Sequence, residues 1–167
     1  MSSRAVVVLC AGLALAVGAC ESDGGPRPPA PYFSHPDLEG HTVSLSDLHG
    51  QTVVIDFFAT WCEPCVFQPP ELNEVWRAHR ASGKLVVLGI EVSGASADEV
   101  RAWGTDNQAV AEYRLLVGAD EDLARRYDVN GFPATVVIDP EGRIDSVTVG
   151  LSTAAEIEAR IAPLLGS

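Results

Sequence analysis

Two cysteines three positions apart carry the strongest chemical signal in this chain. Cys62 and Cys65 enclose Glu63 and Pro64 and closely follow the apolar segment 52–59. That segment, rich in β-branched and aromatic residues, predicts a buried strand, and a helix is expected to begin after it. Residues three apart share one helix face, so the two sulfurs can form a disulfide. Cys62 would lie at the helix N-terminus, where a reactive thiolate is stabilised, and we predict thiol–disulfide exchange.

Three other uses of the cysteine pair are weaker. A structural disulfide closing so short a loop would contribute about 2 kcal/mol, against about 5 kcal/mol for a 100-residue loop. A zinc site normally needs four ligands, and a copper site could use two thiolates and a histidine. The chain has no second closely spaced cysteine pair, and its histidines are scattered at positions 35, 41, 49 and 79. We therefore expect dithiol chemistry with no metal and no organic cofactor.

An aspartate interrupts the apolar segment before the cysteines. Asp56 lies between Ile55 and Phe57, so its carboxyl is expected to be buried rather than at a solvent-facing edge. Burial disfavours the ionised form and raises the pKa, which suits a general base acting near neutrality. Our hypothesis is that Asp56 accepts the proton of Cys65, directly or through a water molecule.

A proline precedes another apolar segment later in the chain. Gly131, Phe132 and Pro133 stand before the segment 134–139, which predicts a strand. Such a proline marks either an ordinary turn or a cis peptide bond held for function. The local sequence alone favours the turn.

The remaining patterns predict alternating strands and helices. Strands are predicted at 42–45, 52–59, 85–92, 113–117, 134–139 and 144–149. Helices are predicted at about 63–80, 97–107, 120–127 and 153–165. Pro69 and Pro70 are expected to kink the first helix. This order indicates a layered α/β domain with a mixed central sheet.

The N-terminal residues have the layout of an export signal. A basic start at 1–4, an apolar stretch at 5–17 and small residues leading to Cys20 resemble the lipobox of bacterial lipoproteins. We predict a signal peptide at 1–19, a lipidated Cys20 within a proline-rich linker at 20–31, and one domain at 32–167. The alternatives are a plain signal peptide or an uncleaved anchor. Cleavage would remove Cys10 and lipid would occupy Cys20, which would leave two thiols in an exported, oxidising compartment.

Composition narrows the possible partners. The 167 residues include 11 Lys and Arg against 23 Asp and Glu, a formal charge of −12. Such acidity argues against a nucleic-acid partner. A 47% hydrophobic content is ordinary for a globular domain.

Together these residues resemble the thioredoxin superfamily over about 32–165. The resemblance rests on the segment 56–65 (DFFATWCEPC), on 132–135 (FPAT) where the family keeps a cis proline, and on Pro70. It implies a thioredoxin-like fold with helices flanking the mixed sheet. It also implies that Cys62 is the nucleophile, Cys65 the resolving thiol and Asp56 the buried acid. Pro133 would lie against the sulfurs and the backbone beside Phe132 would pair with substrate, while Trp61 would shape the adjacent surface or simply pack.

Within the superfamily, the chain resembles the TlpA/ResA group. The export signal, an N-terminal β extension and an insertion at 109–118 carry this resemblance. It implies an extracytoplasmic reductase of exported proteins, including apocytochrome c, that is anchored to a bacterial membrane and receives electrons from a transmembrane thiol reductase. ResA-type members carry glutamate where this chain has Gln68, which shifts proton handling towards Asp56 and weakens the inference to cytochrome c.

The residues between the cysteines bear on the direction of electron flow. Strong oxidants stabilise their thiolate, often with nearby positive charge. Glu63 is anionic, so we predict a potential nearer to about −270 mV, as in thioredoxin, than to about −120 mV, as in DsbA. The alternatives are an extracytoplasmic disulfide-forming oxidase, a Cu(I)-binding delivery protein and a non-catalytic tethered binding module.

Overall fold

The computed structural model describes residues 27–166. The strands are β1 (Ser34–Pro36), β2 (Thr42–Ser44), β3 (Thr52–Phe58), β4 (Leu85–Glu91), β5 (Arg114–Leu116), β6 (Ala134–Ile138) and β7 (Ile144–Val149). The helices are α1 (Gln68–His79), α2 (Ala97–Asp106), α3 (Glu121–Arg126) and α4 (Ala154–Leu165), with 3₁₀ helices at Leu45–Leu48 and Glu63–Phe67. The predicted signal peptide, Cys10 and Cys20 lie outside the described residues.

Within residues 27–166, the central sheet has five strands in the order β5-β4-β3-β6-β7. The pairs β3–β4 and β4–β5 are parallel, whereas β3–β6 and β6–β7 are antiparallel, so the sheet is mixed as predicted. Every residue of β3 is buried because this strand is central and covered on both faces. In the β3 register, Asp56 pairs with Gly89 of β4 and with Thr135 of β6.

Alternate residues of β3 face two cores, as expected for a strand. Val53, Ile55 and Phe57 pack on the face that carries α3. Val54 packs on the opposite face, which α1 and α4 cover. Asp56 belongs to the second set and therefore faces the α1 and α4 side.

The predicted first helix is two elements. Pro69 and Pro70 have no N–H to donate to the carbonyls four residues earlier, those of Cys65 and Val66. Gln68 instead donates its backbone N–H to the Cys65 carbonyl, three residues back, which is the 3₁₀ pattern. The two prolines lie in the first turn of α1, and the predicted helix 63–80 divides just before them into a 3₁₀ helix and an α-helix.

The N-terminal β extension is a short hairpin. In it, β1 pairs antiparallel with β2, so that Ser34 lies opposite Ser44. The strand β1 was not predicted, since its three residues show no alternating pattern. The predicted insertion at 109–118 supplies the edge strand β5, which pairs with β4.

The described end of the predicted linker, residues 27–31, lies against the domain. The backbone N–H of Ala30 donates to the Gly142 carbonyl at 2.9 Å, in the turn between β6 and β7. Arg27 forms an ion pair with Asp139 at 3.3 Å beside that turn. No helix in residues 27–166 is long and apolar enough to cross a bilayer.

Candidate redox-active site

Cys62 and Cys65 form a disulfide, with their Cα atoms 5.4 Å apart. Cys62 precedes the 3₁₀ helix Glu63–Phe67 as its N-cap residue. It therefore lies at the start of a short 3₁₀ helix, not of an α-helix as predicted. Cys62 is 4% exposed, whereas Cys65 is fully buried. An incoming thiol or disulfide can thus reach Cys62 first, and Cys65 lies beneath it.

Aromatic side chains lie near the cysteine pair in the sequence or pack beside it. Trp61 is 65% exposed, and its ring lies edge-on to Phe132 with centroids 6.0 Å apart. Phe132 also packs against the apolar cluster that contains both cysteines. Phe67, at the end of the 3₁₀ helix, is exposed as well. The structure therefore brings the two predicted substrate-binding residues together beside Cys62, in an apolar surface open to a partner.

The peptide bond between Phe132 and Pro133 is cis. The local sequence favoured an ordinary turn, whereas the family resemblance implied this isomer. Pro133 is buried, and its carbonyl accepts a hydrogen bond from the Gly150 N–H at 2.8 Å. Strand β6 begins at the next residue, so Pro133 directly precedes the central sheet.

Asp56 is a buried carboxyl in the centre of the sheet, only 2% exposed. Desolvation raises its pKa from 3.8 to about 8. Its Oδ1 atom has no hydrogen-bond partner among the described residues. Asp56 faces the same side of β3 as Phe58, whose ring packs in one cluster with Cys65. A carboxyl with this pKa can accept or release a proton near neutrality, as the hypothesis requires.

Gln68 is buried, and both the nitrogen and the oxygen of its side-chain amide are hydrogen-bonded. Its Nε2 donates to the Ser152 carbonyl at 2.9 Å, and its Oε1 accepts from the Ser152 N–H at 2.9 Å. The side chain thus ties the start of α1 to the segment before α4. A neutral amide does not titrate near neutral pH, so Gln68 cannot accept the proton of Cys65 as Asp56 could.

The sequence patterns did not predict two hydroxyl-bearing residues that lie near Asp56. Thr135 is its register partner in β6, and Tyr113 precedes β5 on the same side of the sheet as α1. Both are buried. The FPAT motif contains Thr135, but only the strand register places that residue beside Asp56.

Two of the four histidines contact carboxylate groups. His79 contacts Glu158 at 2.9 Å, and His41 contacts Asp37 at 3.6 Å. Across residues 27–166, no group of three or more His, Cys, Asp or Glu side chains is arranged to hold a metal ion.

Comparison with known families gives a consistent assignment. Residues 26–147 match the model of the AhpC/TSA family. The thiol-disulfide oxidoreductase ResA of Bacillus thuringiensis (strain Al Hakam) is 28% identical over 131 residues, covering 77% of this chain and 72% of ResA. The thioredoxin-like protein YneN of Bacillus subtilis (strain 168) is 28% identical over 132 residues, covering 79% of this chain and 76% of YneN.

Solved structures agree with the sequence relatives. A Chlorobium tepidum protein assigned as the thiol:disulfide interchange protein DsbE superposes with a TM-score of 0.73 at 29% identity, covering 84% of this chain and 97% of its own. A secreted thiol-disulfide isomerase of Corynebacterium glutamicum gives a TM-score of 0.71 at 25% identity, covering 83% and 86%. The predicted thioredoxin-like fold is confirmed.

Proposed function

Because the chain belongs to the AhpC/TSA family and is a thiol–disulfide oxidoreductase with a CxxC disulfide, we propose that it reduces disulfides in exported proteins. The observation that carries this proposal is the disulfide between two cysteines of unequal exposure, Cys62 at 4% and Cys65 fully buried. Exchange with a target needs one thiolate that meets the target and a second thiol that resolves the mixed disulfide.

The reaction transfers two electrons from the dithiol to the target. The Cys62 thiolate attacks one sulfur of the target disulfide, and the other target sulfur leaves as a thiolate. Cys65 then gives its proton to Asp56 and attacks the Cys62 sulfur of the mixed disulfide. The second target sulfur leaves, and the Cys62–Cys65 disulfide remains. This chemistry needs no metal and no organic cofactor.

The surface beside Cys62 would hold the target during exchange. Trp61 and Phe132 offer an apolar face, and the backbone beside Phe132 would pair with an extended segment of the target. These are substrate-positioning roles, and the interaction of the two rings supports assigning them together.

We place the protein outside the cytoplasm, anchored to a bacterial membrane through lipid on Cys20. The N-terminal pattern supports this location, as does the similarity to a secreted thiol-disulfide isomerase. A transmembrane thiol reductase would restore the dithiol after each turnover. Labelled palmitate should enter the wild-type protein and not the Cys20→Ala variant. Equal labelling of both would refute lipid attachment at Cys20.

Trapping of targets tests the reductase proposal most directly. The Cys65→Ser variant should accumulate mixed disulfides with exported proteins in cells, since the resolving thiol is absent. The Cys62→Ser variant is the matched control and should trap none. Identification of the captured proteins also decides whether apocytochrome c is a target. Equal capture by both variants would contradict the assignment of Cys62 as nucleophile.

The redox potential of the Cys62–Cys65 pair tests whether the protein reduces or oxidises its targets. We expect a value nearer to about −270 mV than to about −120 mV, and a value above about −160 mV would reverse the assignment to a disulfide-forming oxidase. Tight retention of Cu(I) by the reduced protein would instead favour copper delivery.

A further inference from the structure

Most of the exposed large apolar side chains of the described residues gather near the cysteine pair. Six such side chains are at least 49% exposed in residues 27–166. Four of them, which we call the apolar rim, are Trp61, Phe67, Val149 and Leu151. Single apolar residues are ordinary on a protein surface, whereas apolar residues that gather at one place mark an interaction site. The rim therefore points to a binding partner.

Val149 lies beside the segment that carries Phe132. A Cβ atom added to Gly131, the residue before Phe132, would lie 3.2 Å from Cγ1 of Val149. The Phe132 ring in turn lies edge-on to Trp61, with centroids 6.0 Å apart. These contacts connect Trp61, next to Cys62, with the end of β7.

Leu151 and Phe67 are the chain neighbours of two residues that are hydrogen-bonded to each other. The Gln68 side-chain amide bonds to both backbone groups of Ser152 at 2.9 Å. Leu151 precedes Ser152, and Phe67 precedes Gln68. The Gln68 N–H also donates to the Cys65 carbonyl. The second half of the apolar rim is thus tied by hydrogen bonds to the residue that carries the buried sulfur.

The size of the apolar rim suits a short segment of a target better than a second copy of this chain. Its four side chains are at most 65% exposed, and even an aromatic side chain offers no more than about 250 Å². Together they present less than the about 800 Å² that each partner buries in a stable dimer. The rim also adjoins Cys62, which a target must reach and which a dimer partner would cover.

The surroundings of Trp61 differ between its two neighbours. Phe132 is apolar, whereas a groove that Trp61 also borders is lined by polar and charged side chains, including Ser93, Asp120, Glu121, Asp122 and Arg125. An apolar side chain in that groove would be placed against charges and would gain little from leaving water. We therefore assign the apolar part of a target to the end of the rim formed by Phe67 and Leu151.

We propose that the apolar rim binds an aliphatic or aromatic side chain of the target, located within about three residues of the cysteine that Cys62 attacks. Three residues of extended chain reach about 10 Å, and burial of such a side chain against Phe67 and Leu151 favours the complex. The inference rests on the proposed function and specifies its substrate class, which is exported polypeptides whose disulfide lies in an accessible apolar segment.

Oxidation of the reduced full-length protein by synthetic peptide disulfides tests this proposal. Each substrate is a disulfide-linked dimer of a short peptide, with leucine or serine in turn at each of the three positions on either side of the cysteine. The dithiol gives two electrons and becomes the Cys62–Cys65 disulfide, and the dimer leaves as two peptide thiols. Acid quenching and alkylation of Cys62 measure the rate. At the best position, leucine dimers should react about tenfold faster than serine dimers, because partial burial of leucine gives part of its transfer free energy.

Variants of the apolar rim identify the side chains responsible for this preference. Phe67→Ser and Leu151→Ser should each lower the leucine-to-serine rate ratio at least about threefold, whereas Phe67→Leu keeps an apolar side chain and should retain the ratio. Tyr32→Ser is the matched control, because Tyr32 is 60% exposed and lines a cavity with Gly142 at the turn between β6 and β7. Thermal unfolding of each variant checks that it is folded.

The outcomes separate failure of this inference from failure of the proposed function. Equal rates for leucine and serine dimers would overturn the role of the apolar rim even if Cys65→Ser traps exported proteins. A leucine preference that persists in both serine variants would overturn it as well. Dimerisation of the wild-type protein that is lost in Phe67→Ser would assign the rim to a second copy instead. Failure of every peptide dimer to oxidise the dithiol would overturn the proposed function, and this inference with it.

Discussion

The Asp56→Asn variant should gain stability relative to the wild-type protein as pH rises. Asp56 has a pKa of about 8 in the folded protein, against 3.8 for the ordinary side chain. A carboxyl with a raised folded-state pKa contributes its full stability below pH 3.8, and that contribution is lost as pH rises towards 8. The asparagine amide does not titrate, so the variant should not show this loss.

The size of the effect follows from the two pKa values. Each pH unit between them costs the wild-type protein about 1.4 kcal/mol, or about 5 to 6 kcal/mol over the whole interval. From pH 5 to pH 8, the unfolding free energy of Asp56→Asn should therefore increase by about 4 kcal/mol relative to the wild-type protein.

Urea unfolding of the oxidised protein at several pH values measures this difference. In the oxidised form neither cysteine titrates, and the other ionisable groups are common to both proteins. Asp106→Asn, which changes an exposed carboxyl at the end of α2, is the matched control and should leave the pH dependence almost unaltered. Parallel stability curves for Asp56→Asn and wild type would refute the claim that burial holds this carboxyl neutral.

Three further perturbations have defined outcomes. Gln68→Glu would place a carboxylate against the Ser152 carbonyl and should lower the unfolding free energy at pH 7 by about 2 to 4 kcal/mol; unchanged urea unfolding would contradict the role of the amide. Trp61→Ala removes an exposed ring, so KM for a peptide disulfide should rise while thermal stability changes little; an unaltered KM would exclude Trp61 from substrate binding. Asp139→Ala removes the ion pair to Arg27 and the acceptor for the Arg143 N–H. It should lower the unfolding free energy in urea by about 1 to 3 kcal/mol and speed proteolysis at 27–31. Wild-type protease resistance would contradict the packing of this segment against the domain.

Sequence patterns predicted the elements that have a long apolar run or clear N-terminal capping residues. Strand β3 follows a continuous apolar run, and α4 begins at the capping pair Thr153 and Glu156. The strand β5 lies within the predicted segment 113–117, whereas β1 has three residues with no alternating pattern and was not predicted. The strand β1 is defined by its pairing with β2, which a local pattern does not contain.

The same distinction applies to the site. The spacing of Cys62 and Cys65 and the apolar neighbours of Asp56 are visible in the sequence. The neighbours of Asp56 in space are not, because the strand register pairs Thr135 with Asp56 and only the folded chain brings Tyr113 close enough to feel its charge. The isomer of the Phe132–Pro133 bond was implied by the family resemblance and not by local composition.

The docked segment 27–31 determines where the polypeptide enters the domain. This segment contacts the turn after β6. Phe132, which packs against the cluster containing both cysteines, lies just before the start of β6. A strand of five residues separates the two locations by about 17 Å. The chain therefore joins the domain at one end of β6, and the disulfide lies near the other end.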